Sequence, residues 1–106
     1  MAWILLIVAG LFEIVWAYSM KLSAGFTRPT PTLVTFGFMA LSFGLLSFSM
    51  RSLPLGTAYT IWTGIGAVGA FLVGIIVLGE SANPARLVAA ALIVSGIVLM
   101  KVSSSG

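Results

Sequence analysis

One acidic side chain lies inside a long apolar segment, where a charge is costly. Glu13 is the only charged residue in the stretch from Trp3 to Ala17, and Glu80 is the only other acid in the chain. At the centre of a bilayer a carboxylate costs roughly 2.5–3.5 kcal/mol on insertion scales. Ionisable residues at such depth typically hold a proton or a cation, so Glu13 is predicted to bind both.

Aromatic and hydroxyl side chains are spaced so that they could surround this acid. Residues three or four apart share a helix face, which places Trp16 beside Glu13 and puts Tyr59 and Trp62 on one face of a later segment. Aromatic faces attract cations, by about 2 kcal/mol or more at a dry site. The alternatives are simple packing or lipid contact for Trp16 and the interfacial aromatic belt for Tyr59.

A serine at mid-depth of the second apolar segment is the remaining candidate. The Ser42 hydroxyl could donate to the Glu13 carboxylate, or it could bond a carbonyl of its own helix. The sequence leaves both possibilities open. The predicted cation pocket around Glu13 therefore consists of Trp16, Ser42, Tyr59 and Trp62.

The composition places these residues in a membrane protein. The 106 residues are 60% hydrophobic and 7% charged, with a mean hydropathy of +1.23. A soluble domain has about 25% charged residues, so this chain cannot cover a water-facing surface. The length allows four membrane spans of about 20 residues with short connections, and it leaves no room for a soluble domain.

Several kinds of chemistry are excluded or disfavoured by the same composition. The chain has no Cys and no His, which removes thiol chemistry and the commonest metal ligands. No nucleophile–base pair or metal set is visible, so an enzyme, a bound metal and a cofactor are not expected. The net charge of +3 comes from five dispersed basic residues, which are typical of membrane loops and do not indicate nucleic-acid binding.

The pattern of apolar runs and turn residues predicts an all-α integral membrane fold. A single domain over residues 1–106 is expected to contain four transmembrane helices, at about 3–21, 32–50, 57–78 and 85–100. Gly- and Pro-rich stretches form the three connections. Pro84 is well placed to begin the last helix.

The basic residues barely distinguish the two sides of the membrane. With four spans, Arg51 and Lys101 lie on one side, whereas Lys21, Arg28 and Arg86 lie on the other. Lys and Arg in short loops mark the cytoplasmic side, and here the counts nearly balance. The sequence therefore favours dual insertion and an antiparallel homodimer, with a small real bias or a partner-determined orientation as the alternative.

Small residues suggest where helices pack or bend. Gly64 and Gly66 are predicted to form a hinge, or alternatively to serve packing alone. Ala89 and Gly96 are seven residues apart on one face of the last span and are predicted to contact a second copy. Glu80 is expected to be a solvated loop charge near Arg86, with a role in gating or loop locking as the alternative.

The chain resembles the small multidrug resistance family over essentially its whole length. The matching features are Glu13, the Lys21 that follows the first helix, the loop segment 25–28 and the segment 54–66 that leads through the third helix. Three segments make it more similar to the guanidinium-exporter subtype than to the drug-exporting subtype: Trp16-Ala17, the stretch 62–67 and the stretch 79–81.

This resemblance implies a specific function. It implies a multi-pass protein of the bacterial inner membrane that exports guanidinium in exchange for protons. It implies an antiparallel homodimer in which both copies of Glu13 bind proton and substrate, and it implies binding-site roles for Trp16, Ser42, Tyr59 and Trp62. A broader exporter of quaternary ammonium cations from the same family is the alternative.

Overall fold

The chain folds into four α-helices joined by short loops. A computed structural model describes residues 1–103, and the helices are α1 (Ala2–Leu22), α2 (Pro29–Ser49), α3 (Leu55–Ile76) and α4 (Pro84–Ser103). Each has 20 to 22 residues and is apolar enough to cross a membrane. At 1.5 Å per residue such a helix is about 30 Å long, which matches the hydrocarbon thickness of a bilayer.

Some helix boundaries differ from those predicted from the sequence, and the differences have simple physical causes. The prolines at 29 and 31 were expected in a loop, but α2 begins at Pro29. The first N–H groups of a helix have no partner within the helix, so proline is tolerated there. Gly79 adopts a φ of +71° beyond the end of α3, where it reverses the direction of the chain. Pro84 begins α4, as predicted.

The helices form a flat layer in which α1 is central. α1 packs against both α2 and α3, and α4 packs against α3. The chain measures 43 × 34 × 16 Å along its principal axes, so it is much thinner than it is long or wide. The most buried apolar side chains lie between α1, α2 and α3: Leu6, Ala9, Leu46, Ala58, Ile61 and Trp62.

Glycines allow α1 and α3 to approach closely. A Cβ atom added to Gly10 would lie 2.6 Å from Cγ2 of Ile65, and one added to Gly69 would overlap the side chain of Ile14. Branched side chains of one helix therefore fill the spaces that glycines leave in the other. Such small-residue contacts drive helix association in lipid, where the hydrophobic effect between helices is absent.

The last helix lies at the edge of this layer. α4 has no buried residue, although it is as apolar as the other spans. Within residues 1–103, neither α1 nor α2 comes close to its backbone. Its outer face is therefore available to lipid or to a second protein chain.

The close contact at Gly10 can be tested by adding one methyl group. Gly10→Ala is expected to lower the free energy of unfolding by about 1–3 kcal/mol, because the new Cβ overlaps the branched carbon of Ile65. Unfolding in mixed detergent micelles measures the change. Gly44→Ala in α2 is the matched control, since no atom lies within 4 Å of its added Cβ. Equal stability of the two variants would contradict this account of the α1–α3 interface.

Candidate functional site

The carboxyl group of Glu13 lies between α1 and α3 and has an unsatisfied oxygen. Its side chain is partly buried and packs against the backbone of Gly66, where any Cβ would overlap the carboxyl group. Oε1 is buried and accepts no hydrogen bond from the part of the chain that the structure describes. No basic side chain within residues 1–103 forms a salt bridge with it. A buried carboxyl oxygen without a partner is costly, so this site is suited to receiving a donor from outside the chain.

One turn along the same helix, an indole also lacks a partner. Nε1 of Trp16 is buried and donates no hydrogen bond to any of residues 1–103. The face of α1 shared by Glu13 and Trp16 thus presents an unused acceptor and an unused donor. Buried polar groups in native proteins are nearly always paired, and two exceptions on one helix face indicate a binding region.

Ser42 makes neither of the two hydrogen bonds that the sequence left open. Its hydroxyl donates to the backbone carbonyl of Ala9 in α1, at 2.7 Å, and it accepts from Nε1 of Trp62 in α3, at 2.9 Å. The expectation that it donates to Glu13 is therefore wrong for this structure, because the single hydroxyl hydrogen is already used. The expectation of a bond within its own helix is wrong as well, since Ala9 belongs to α1.

The Ser42 hydroxyl instead joins three helices at one buried point. Ala9 lies one helical turn before Glu13, and Ser42 is fully buried beside it. The two bonds fix the indole of Trp62 relative to α1 and α2. The tryptophan is therefore held in one orientation close to the level of the acid.

The aromatic residues form a continuous series of ring contacts. The ring of Phe43 lies 6.1 Å from that of Trp16 and 5.7 Å from that of Trp62, and Tyr59 lies 5.5 Å from Trp62. The structure thus brings together all four predicted pocket residues, with Ser42 bonded to Trp62. Tyr59 is at the outer end, where its side chain is 52% exposed.

The sequence did not indicate that Phe43 belongs to this series of aromatic contacts. It is one of seven phenylalanines, and no spacing rule separates it from the others. Its position next to Ser42 was the available signal. Its ring contacts two tryptophans that are far apart in the chain, and only the packing of α2 against α1 and α3 could reveal this.

The two predicted hinge glycines each accommodate a side chain from a neighbouring helix. Gly66 accepts the Glu13 carboxyl from α1, and a Cβ on Gly64 would lie 2.8 Å from Cδ1 of Ile97 in α4. α3 is continuous through both positions. These contacts account for the glycines by packing, and bending at this point stays a prediction. The predicted dimer residues Ala89 and Gly96 are exposed on α4.

Comparison with known proteins identifies relatives that match nearly the whole chain. The family model described as Small Multidrug Resistance protein matches residues 1–93. Proteins named "Guanidinium exporter" from Citrobacter freundii, Salmonella typhi and Escherichia coli (strain K12) are each 56% identical over 104 residues, which is 98% of this chain and 99% of the relative.

The hydrogen bonds of Ser42 lead to a prediction about the fixed tryptophan. Ser42→Ala is expected to lower the free energy of unfolding by about 1–2 kcal/mol, because the indole N–H of Trp62 loses its acceptor in a buried place. Unfolding in mixed micelles measures this. Ser95→Ala removes a hydroxyl that bonds the Ala91 carbonyl of its own helix, and it should leave stability nearly unchanged. If both variants behave alike, the interhelical role of Ser42 is wrong.

Proposed function

The chain belongs to the small multidrug resistance family, and we propose that it exports guanidinium across the bacterial inner membrane in exchange for protons. It is a multi-pass membrane protein with four apolar helices. The observation that carries the mechanism is the Glu13 carboxyl group, which lies midway along an apolar helix of membrane length and has a buried oxygen without a partner within residues 1–103.

The relatives support guanidinium as the substrate. Proteins named guanidinium exporters match nearly end to end at 56% identity. Guanidinium is planar, and its N–H groups form a fork that binds a carboxylate through two parallel hydrogen bonds. The unpaired Glu13 oxygen would accept one of these bonds.

The aromatic cluster would supply a second kind of attraction. Trp62 is held by Ser42, so its indole does not need to be ordered when a cation arrives. A cation over an aromatic face is attracted by the ring quadrupole, and the attraction is strongest where water is excluded. Trp16, Phe43 and Tyr59 extend the aromatic surface on either side.

Exchange follows when proton and guanidinium compete for the same carboxylate. A protonated Glu13 is neutral and cannot form the paired contact with guanidinium. Entry of a proton from one side would therefore release the cation, provided that the protein changes its open side only when the carboxylate is occupied. The downhill flow of protons then drives export.

A second copy would complete the pathway. The layer of helices is 16 Å thin and its apolar helix α4 is uncovered, so one chain does not surround a substrate. We propose an antiparallel homodimer in which α4 contacts its counterpart near Ala89 and Gly96. The nearly balanced basic loops support this arrangement, in which substrate binds close to the midplane.

Alternating access requires two shapes, and α3 is our candidate for the moving element. Gly64 and Gly66 are proposed as the hinge. They are also the points where α3 receives the side chains of α4 and α1, so a bend there would alter both contacts together.

Competition between protons and guanidinium for Glu13 predicts that one variant loses nearly all guanidinium transport. Glu13→Gln keeps the shape of the side chain but removes the charge, so guanidinium flux should fall by at least about 100-fold, the effect of roughly 2.7 kcal/mol. Flux is measured in proteoliposomes with an imposed proton gradient. For the parent protein, guanidinium binding should weaken as the pH is lowered, whereas residual binding to the variant should not depend on pH.

Ser95→Ala is the control for reconstitution, because its hydroxyl lies on the exposed face of α4. Normal proton-coupled flux in the Gln variant would contradict the mechanism. Tetra-alkylammonium cations in the same assay distinguish the broader exporter: faster flux of these cations than of guanidinium would favour that alternative.

Dual insertion predicts that the C-terminus reaches both sides of the membrane. A reporter fused there should give active populations in the cytoplasm and outside it, because the basic loops nearly balance. Adding two lysines to the loop that contains Arg51 should then move the population to one orientation. A single location for the unmodified chain would refute dual insertion but not transport.

A further inference from the structure

The corner between α3 and α4 contains a set of polar contacts that the proposed binding site does not use. After α3 ends, the backbone N–H of Glu80 donates to the Gly74 carbonyl at 2.9 Å. This bond folds the chain back over the last turn of the helix. The left-handed conformation of Gly79 permits the reversal.

The side chain of Glu80 then lies on the helix it has just left. A Cβ added to Gly74 would be 2.5 Å from Oε1 of Glu80. Gly74 is buried, so the carboxyl group occupies the space that any other residue would fill with its own side chain. Glu80 is therefore more than a freely solvated loop charge, although its side chain is 45% exposed.

Arg86 in the first turn of α4 reaches back to the same place. Nη2 lies 3.9 Å from Oε1 of Glu80, and the guanidinium group lies 4.9 Å from the ring centroid of Phe71 in α3. Nη1 donates to the carbonyl of Ser81. One side chain of α4 thus contacts the carboxylate, the loop backbone and an aromatic ring of α3.

These contacts matter because α4 contains no buried residue, and within residues 1–103 its backbone is close to α3 alone. Farther along α4, Ile97 packs against α3, and Nζ of Lys101 lies 4.4 Å from the ring centroid of Trp3 in α1. The direction in which the first turns of α4 leave the corner therefore depends on how the corner is held. α3 is also the helix whose Gly66 receives the Glu13 carboxyl.

We propose that Gly74, Glu80, Arg86 and Phe71 form a corner latch that fixes α4 against α3 in one of the two shapes used for transport. Opening the latch would let the first turns of α4 change their angle to α3. The contacts are individually weak and lie at the protein surface, which suits interactions that must break and re-form in every transport cycle.

The structural part of this proposal can be tested without any substrate. The chain has no Cys, so spin labels on introduced cysteines at Leu33 of α2 and Val88 of α4 mark two sites only. Both positions are exposed, at 73% and 59%. Labelled protein is diluted with an excess of unlabelled protein, and the distribution of label-to-label distances in membranes is measured by pulsed electron paramagnetic resonance.

Glu80→Gln and Arg86→Gln should each widen this distribution, and the double variant should widen it no further, because either change alone opens the same contact. Gly74→Ala should have the same effect by displacing the carboxyl group. Gly56→Ala near the start of α3 is the control, since no atom lies within 4 Å of its added Cβ. Unchanged distances in the two Gln variants, or effects that simply add, would overturn the proposal.

The transport part rests on the proposed function. In proteoliposomes, Glu80→Gln should speed guanidinium turnover by about two- to fivefold, the range expected for loss of a surface ion pair, with binding affinity unchanged. A change in affinity with normal turnover would contradict a latch. If the parent protein carries no guanidinium, the proposed function fails, and the distance measurement still decides whether the latch exists.

Discussion

The structure depends on one close approach, in which a carboxyl group of α1 lies against the bare backbone of α3. Glu13 can be placed between two membrane helices because Gly66 has no side chain to exclude it. Bringing the helices so close needs the other glycine contacts along the same interface, where Ile65 and Ile14 fill the spaces at Gly10 and Gly69. The acid is thereby partly buried without a salt-bridge partner within residues 1–103, and among these residues its buried oxygen Oε1 has no hydrogen-bond partner. The stability of the fold and the presence of the site therefore have the same structural cause.

The polar residues near this interface are divided between two tasks. Ser42 and Trp62 satisfy each other and the Ala9 carbonyl, so they form a rigid support. Glu13 and Trp16 retain unused hydrogen-bonding groups, so they form the receptive part. A rigid support lowers the ordering cost of binding, because the aromatic surface is in place before a cation arrives. This division explains how an interior serine can matter for recognition although its hydroxyl does not contact the acid.

The arrangement of the helices also separates three well-packed helices from one that has no buried residue. α1, α2 and α3 share the buried apolar side chains, whereas α4 contributes none and lies along the edge. An apolar helix that is exposed in the single chain is a natural contact for a second copy in lipid. Through the corner latch that we propose, changes at that edge would reach the candidate site through α3. In this proposal one small chain would contain a binding site, an assembly surface and a moving part.

Much of this protein was determined by its sequence, and the remainder by its packing. Hydrophobic runs of membrane length, broken by Gly and Pro, determined four helices, and every helix end lies within three residues of the predicted position. Spacing alone placed Trp16 beside Glu13 on α1 and Tyr59 beside Trp62 on α3, because helical periodicity decides which residues share a face. The tertiary structure alone decided that Ser42 bonds Trp62 and Ala9, that Phe43 connects the two tryptophans, and that Gly66 receives the carboxyl group. These pairings join residues from different helices, and their geometry depends on which helices are neighbours and how closely they approach, which no local pattern in the chain records.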